Sequence, residues 1–223
     1  MEIASKLPKV GTTIFTVMSQ LAQRHNSVNL SQGFPDFDCS PELVGLVNSF
    51  MKKGFNQYSP MMGVKELREE IAQKTEDLYG SVYHPEKEVT VTAGGSEAIF
   101  SAIASVINPG DEVIIFEPAY DIYRPSIELF GGILKAVQLK SPDFQIDWQE
   151  VRNLISHKTK LIVLNNPNNP ATSVLMENDF RELIQIVQNT DILILSDEVY
   201  EHIVFDGIQH LSISQFPELK ERS

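Results

Sequence analysis

The sequence predicts an α/β fold, a three-layer αβα sandwich around a mostly parallel sheet, preceded by an N-terminal helical arm. Three observations predict it. From residue 89 onward, short β-branched runs alternate with stretches of helical periodicity, the pattern of a parallel sheet with crossover helices. The runs Lys160–Leu164 and Ile192–Leu195 are almost continuously apolar, as strands covered on both faces must be. Before residue 89 the periodicity is helical and no strand-like run occurs, which sets the arm apart from the sheet.

The elements follow in order. Ile14, Val17, Met18, Leu21 and Ala22 recur at helical spacing and mark an amphipathic helix. A second helix follows Pro41, with Leu43, Leu46, Val47 and Phe50 on one face, and a third carries Val64, Leu67, Ile71, Ala72, Thr75 and Leu78. Val89–Thr92 reads as the first strand, and Ala98, Ile99, Ala102, Ile103 and Val106 as the buried face of the helix after it. Pro109-Gly110-Asp111 is a turn signal leading into a strand from Glu112 to Phe116. A helix near Ser126, a strand over Ile133–Leu139 and a helix with Asp147 as N-cap come next. Phe180, Leu183, Ile184 and Val187 give a buried stripe to the helix joining the last two apolar strands. Five core strands are expected.

The chain has 223 residues, 42% of them hydrophobic and 22% charged, a composition that excludes a mainly disordered or fibrous protein. Its formal net charge is −12, and no segment clusters Lys and Arg, so neither nucleic acid nor an anionic membrane is an expected partner. Cys39 is the single cysteine, which leaves no internal disulfide and no multi-cysteine metal site and makes a reducing cytoplasm the expected compartment. Met1–Val10 has no apolar signal core, and no run reaches the roughly 18 apolar residues of a membrane span.

In open α/β sheets, ligands bind beyond the carboxyl ends of the strands, so the polar residues just after each strand are the candidates. Ala93-Gly94-Gly95-Ser96-Glu97-Ala98 puts a glycine pair at the start of a helix. Exposed N–H groups and the helix dipole there suit a phosphate, although a tight turn needs small residues for its own sake. Glu117-Pro118-Ala119-Tyr120-Asp121-Ile122-Tyr123 offers an aromatic ring to a flat ligand, or simply to the core. Asn165-Asn166-Pro167-Asn168-Asn169-Pro170 is a proline-stiffened loop dense in side-chain amides. Ser196-Asp197-Glu198-Val199-Tyr200 places a carboxylate at the end of a buried strand, which is costly unless a cation or a set of donors meets it. An Asp capping the next turn is the plainer alternative; pairing with a protonated ring nitrogen is the functional one.

Together these four runs resemble the class I/II aminotransferases, fold-type I pyridoxal-phosphate enzymes, in the methionine aminotransferase and kynurenine/glutamine transaminase branch. Asn29–Phe37, Asn56-Gln57-Tyr58-Ser59-Pro60, Gly63, Leu67 and Arg68 extend the resemblance from about Lys6 to His202. It implies an arm with part of a small domain over residues 1–35 and a large cofactor domain, incomplete at its C-terminal side, over 36–223. It implies pyridoxal 5′-phosphate held at Gly95 and Ser96, stacked on Tyr120, paired at its ring nitrogen with Asp197 and bonded at its 3′-oxygen by Asn169 and Tyr200. Asn165 would lie near the substrate side of the ring, Gly33 would offer its backbone to the substrate carboxylate, and Phe15 would cover the pocket where some relatives carry tryptophan. Tyr58 would reach the cofactor phosphate of a second subunit, which implies a homodimer acting on an amino acid and a 2-oxo acid.

The family's Schiff-base lysine and its arginine for the substrate carboxylate have no counterpart here. Lys220 is the only lysine after Asp197; with Pro217-Glu218-Leu219 before it and no strand-like run, it reads as a solvated helix residue. The expectation is therefore that the catalytic lysine lies beyond Ser223 and that the chain alone is inactive. A C–S β-lyase on the same scaffold and a non-catalytic remnant are the competing readings. A dinucleotide-binding domain is disfavoured, because no G-x-G-x-x-G follows a strand.

Overall fold

The computed structural model describes residues 4–8, 10–33 and 35–223; Met1–Ile3, Lys9 and Phe34 of the Asn29–Phe37 run lie outside the described residues. The elements, in chain order, are α1 (Ile14–Arg24), α2 (Pro41–Lys52), α3 (Lys65–Tyr79), α4 (Gly95–Val106), β1 (Glu112–Glu117), α5 (Tyr123–Leu129), β2 (Ile133–Gln138), α6 (Trp148–Leu154), β3 (Thr159–Asn165), α7 (Glu177–Val187), β4 (Leu193–Asp197) and α8 (Pro217–Lys220). A single 3-10 turn, Ile213–Gln215, precedes α8.

The four strands are parallel and bond in the order β2-β1-β3-β4. Strand periodicity sorts their side chains to two faces. Ile114, Phe116, Ile162, Leu164 and Ile194 pack with Val151 of α6 and Phe180 and Leu183 of α7. Val113, Ile115, Leu161 and Val163 pack with Ile99 and Ile103 of α4 and Ile127 of α5. Two helical layers thus enclose the sheet, as the apolar runs required. Asp147 caps α6 as its position suggested, accepting from the Gln149 and Glu150 N–H groups at 3.0 and 3.1 Å.

One expectation about the elements needs correction. Val89–Thr92 is not a strand, so the sheet has four strands among the described residues rather than five. A strand exists only in a ladder, and Val89–Thr92 bonds to none of the four strands. The run is instead held against the segment before α3: Val91 N–H donates to Met62 O at 3.0 Å. Gly63 must be glycine there, because its φ is +95° and a Cβ would come within 2.7 Å of Val91 Cβ. Buried Arg68 closes the joint, its Nε donating to Gly63 O at 3.2 Å and its Nη1 to Pro85 O at 2.6 Å.

The helices expected before residue 89 form at α1, α2 and α3, although none of the residues of α1 or α2 is buried. Ile14, Leu43, Leu46, Val47 and Phe50 are exposed. No helix among the described residues is long and apolar enough to cross a membrane.

Candidate active site

The chain runs from β1 outward to β2 and then crosses back to β3 on the other side of β1. The strand order therefore reverses between β1 and β3, and the crevice beyond their carboxyl ends is the favoured ligand position. The loops after β1, β3 and β4, and the start of α4, meet there.

One side is built on α4. Gly94 takes φ +108°, and Cβ atoms placed on Gly94 or Gly95 would meet only open space. No side chain caps this helix, so its first-turn N–H groups point into that space with the positive end of the dipole behind them. Ser96 Oγ lies 3.4 Å from the hydroxyl of Tyr120. Tyr120 stands edge-on to Tyr123, with centroids 6.0 Å apart.

Tyr123 leads to the other side. Its ring is 2% exposed, and its hydroxyl donates to Asp197 Oδ2 at 2.6 Å. Burial above all, then the carboxylate, pushes the Tyr123 phenol well above its ordinary range, so it stays a donor wherever Asp197 is ionised. The Val199 N–H donates to Asp197 Oδ1 at 3.2 Å. Half-buried Asp197 is thus met by neutral donors, which leave lone pairs for a cationic N–H.

The β3–β4 register pairs Asn165 with Asp197. Asn165 Nδ2 and Asn166 N–H both donate to the Asp197 main-chain oxygen, at 3.0 and 2.9 Å. Asn165 Oδ1 accepts from Asn169 N–H at 2.6 Å, and Asn169 Nδ2 donates to the Tyr200 hydroxyl at 3.3 Å. The asparagine-rich loop is therefore folded on its own amides, which explains their number. Asn165 acts first as the brace of that loop.

Of the predicted residues, Gly95, Ser96, Tyr120, Asn165, Asn169, Asp197 and Tyr200 fall within this one connected arrangement. Gly33 borders a cleft of about 870 Å³ with Asn168, Asn169 and Tyr200. Phe15 borders another, of about 550 Å³, with Tyr120 and Asp121. Tyr58 stands apart and fully exposed. Lys220 is corrected in part: it is a helix residue, but not simply solvated. Its ammonium donates to Val82 O at 2.7 Å and lies 4.4 Å from the centroid of the Tyr83 ring.

Tyr123 was not singled out from sequence. The available signal was its place in the same strand-end run as Tyr120, three residues on. As a whole, the arrangement can bind an anion at α4, a flat ring beside Tyr120, a cationic ring N–H at Asp197 and a negatively polarised oxygen at Asn169 and Tyr200.

The family model for aminotransferase class I and II matches residues 25–222. Methionine aminotransferase of Escherichia coli K12 is 50% identical over 98% of this chain and 57% of its own length. The human kynurenine–oxoglutarate transaminase 1 is 36% identical over 92% of this chain and 51% of its own. The crystal structure of Escherichia coli YbdL, identified as a methionine aminotransferase, superposes with a TM-score of 0.96 at 50% identity, covering 100% of this chain and 58% of that one. N-succinyldiaminopimelate aminotransferase of Mycobacterium tuberculosis superposes with a TM-score of 0.93 at 36% identity, covering 99% and 58%. The chain spans a little over half the length of these relatives, and with a family match over most of its residues it belongs to the class I and II aminotransferases.

Proposed function

We propose that the whole protein is a pyridoxal 5′-phosphate-dependent aminotransferase, moving the amino group of an L-amino acid of methionine, glutamine, aromatic or kynurenine type to a 2-oxo acid. The observation that carries this reading is the connected run of side-chain and main-chain contacts from Ser96 through Tyr120, Tyr123, Asp197, Asn165 and Asn169 to Tyr200. Its chemistry fits pyridoxal phosphate: an uncapped, glycine-opened helix start for a phosphate, a carboxylate for a pyridinium, and an amide–phenol pair for the 3′-oxygen.

When bound, that group supplies an aldehyde for the substrate amine and an electron-poor ring that acidifies the substrate Cα–H. The protein's part is positional and electrostatic. Gly95 and Ser96 N–H groups hold the phosphate, and Tyr120 fixes the plane of the ring. Asp197, steadied by Tyr123, keeps the proton on the ring nitrogen. Asn169 and Tyr200 hold the 3′-oxygen, Gly33 offers its backbone to the substrate carboxylate, and Phe15 shields the pocket. Tyr58, exposed here, completes the phosphate site of a second subunit in a cytoplasmic homodimer.

The test uses protein expressed from the complete reading frame, loaded with pyridoxal phosphate and given L-methionine with a 2-oxo acid. Stoichiometric appearance of the methionine-derived oxo acid and of the amino acid made from the acceptor supports the reading. Failure to take up the cofactor overturns it, and acceptor-independent release of pyruvate and ammonia from a cysteine conjugate would assign the C–S lyase reaction instead. Sedimentation of the loaded, active protein as a monomer would remove the role given to Tyr58.

A further inference from the structure

We infer that His210, buried as a doubly protonated imidazolium, is a positioning residue that sets Asn169 and Tyr200 against each other. It does so by tying the asparagine loop to α3 and to the turn after β4. The inference rests on the aminotransferase reading for the cofactor oxygen that this pair would hold, but the charge state is argued from the groups around the ring and not from that reading.

The His210 side chain is 4% exposed. Its Nε2 lies 3.1 Å from the main-chain oxygen of Asn166, and a carbonyl can only accept. Its Nδ1 lies 3.2 Å from the Tyr79 hydroxyl. That hydroxyl has one proton, and the proton is directed at Glu201 Oε2. Glu201 has none to give back. Its other oxygen meets the Lys74 ammonium, and although burial works against the charge, the bonds from Lys74 and Tyr79 hold the carboxyl below its usual range. Tyr79 is held as a phenol, pushed up by burial and by Glu201. The Tyr79 oxygen can therefore only accept from Nδ1, and both ring nitrogens must donate. Only the imidazolium does this.

The surroundings supply its counter-charge. Glu198 Oε2 is 3.9 Å from His210 Nε2, while Glu198 Oε1 accepts from Ser196 Oγ at 2.7 Å and from Ile213 N–H at 2.9 Å. Tyr79 on α3 presents its ring edge-on to the imidazole at 5.8 Å. Lys74 and His202 face Glu201 rather than His210. Tyr83, also on the α3 side, is pushed up by burial first and by Glu198 next.

The consequence for the site runs through Asn166. Its N–H is held by Asp197 O, its Nδ2 donates to Leu211 O at 3.1 Å, and its Oδ1 accepts from Leu175 N–H at 2.9 Å. His210 fixes the one remaining polar group of that residue, the carbonyl that leads into Pro167, Asn168 and Asn169. Through Tyr79 and Glu201 the same ring fixes the turn that carries Tyr200. One cation thus joins the two segments that meet at the candidate site through the 3.3 Å bond between Asn169 and Tyr200.

The experiment uses protein from the complete reading frame, labelled with nitrogen-15 at histidine. The His210 signals are identified by their loss in His210→Gln. Two protonated ring nitrogens at pH 7 are expected; one protonated and one bare nitrogen would overturn the inference. Pyridoxal phosphate affinity is then measured for wild type, His210→Gln and His210→Phe, with melting temperatures alongside. Removing both donors in His210→Phe should weaken binding about tenfold, the scale of one charge-assisted hydrogen bond. His210→Gln, whose amide can still donate to Asn166 O, should recover most of that loss. Cofactor binding by His210→Phe as tight as by wild type would refute the inference alone. A wild-type protein that takes up no pyridoxal phosphate would refute the aminotransferase reading and the positioning role with it.

Discussion

Replacing Tyr123 with Phe removes a single oxygen from a ring that is 2% exposed. The ring keeps its place against Ile127, Val113 and Ile115, so no cavity opens and the packing terms of larger truncations do not arise. What disappears is the 2.6 Å donor to Asp197 Oδ2, a length typical of a hydroxyl on a charged oxygen. Bonds of this kind contribute about 1.5–3 kcal/mol. Asp197 is only half-buried and keeps the Val199 N–H, so water restores part of the loss and about 1–2 kcal/mol is the expected cost. In a urea melt with an m-value of roughly 2 kcal/mol/M, the midpoint should fall by about 0.5–1 M.

The bond itself is isolated by a double-mutant cycle with Asp197→Asn. If Tyr123 acts through the carboxylate, the coupling energy should be about 1–2 kcal/mol; a value below about 0.3 kcal/mol is ordinary additivity and would refute the reasoning. On the proposed role of Asp197, Asp197→Asn in the loaded full-length protein would remove the charge facing the ring nitrogen and should lower kcat by about 10²-fold or more. Tyr123→Phe leaves that charge but loosens its aim, and a loss of about tenfold is expected. Equal losses in the two variants would mean that Tyr123 does more than orient Asp197.

Other expectations are equally direct. Gly63→Ala forces a Cβ to within 2.7 Å of Val91 Cβ at a φ of +95°, and should destabilise the chain by about 2 kcal/mol or more in urea melts; a change under about 0.5 kcal/mol would mean that the segment before α3 can move away. Tyr79, Tyr83 and Tyr123 are all pushed above the ordinary phenol value, burial first and acidic neighbours next. A phenol raised in the fold stabilises it fully below the unfolded value near 10, and that contribution is lost as pH rises through the folded value. Stability should therefore fall above pH of about 10, and the alkaline absorbance titration should complete only as ellipticity is lost; six phenols ionising in one step within an intact fold would contradict this. Because the Lys220 ammonium is held by Val82 O and the Tyr83 ring, borohydride reduction of the 223-residue chain mixed with pyridoxal phosphate should leave no stoichiometric adduct at Lys220, which peptide mass spectrometry would detect.

What the sequence makes legible here follows from where each determinant lies along the chain. A parallel strand buried on both faces must be continuously apolar, so Lys160–Leu164 and Ile192–Leu195 announce β3 and β4, and the polar residues that follow them announce the site. Asp197, Tyr200 and the asparagine loop were readable for that local reason. Strand pairing is not local: Val89–Thr92 has the composition of a strand, but no neighbour among the described residues bonds it into the sheet, and composition carries no record of a ladder. The stripes of α1 and α2 have the same limitation, since periodicity marks an apolar face without saying what covers it.

The supports of the site are hidden for a related reason. Tyr123 meets Asp197 across 74 residues of chain, and His210 reaches Asn166 across 44 and Tyr79 across 131. Tyr123 shares the run after β1 with Tyr120, but His210 and Tyr79 follow no strand directly, and nothing beside them in the sequence distinguishes a support from an ordinary core aromatic. Their role appears only when hydrogen-bond donors are counted against acceptors in the folded chain. The carboxylate of Asp197 accepts from a phenol that burial keeps protonated, and the carbonyl of Asn166 requires a donor from a ring whose other nitrogen must also donate. Residues that contact a ligand are constrained by the end of the strand that carries them, whereas residues that aim them are constrained only by the proton inventory of the fold.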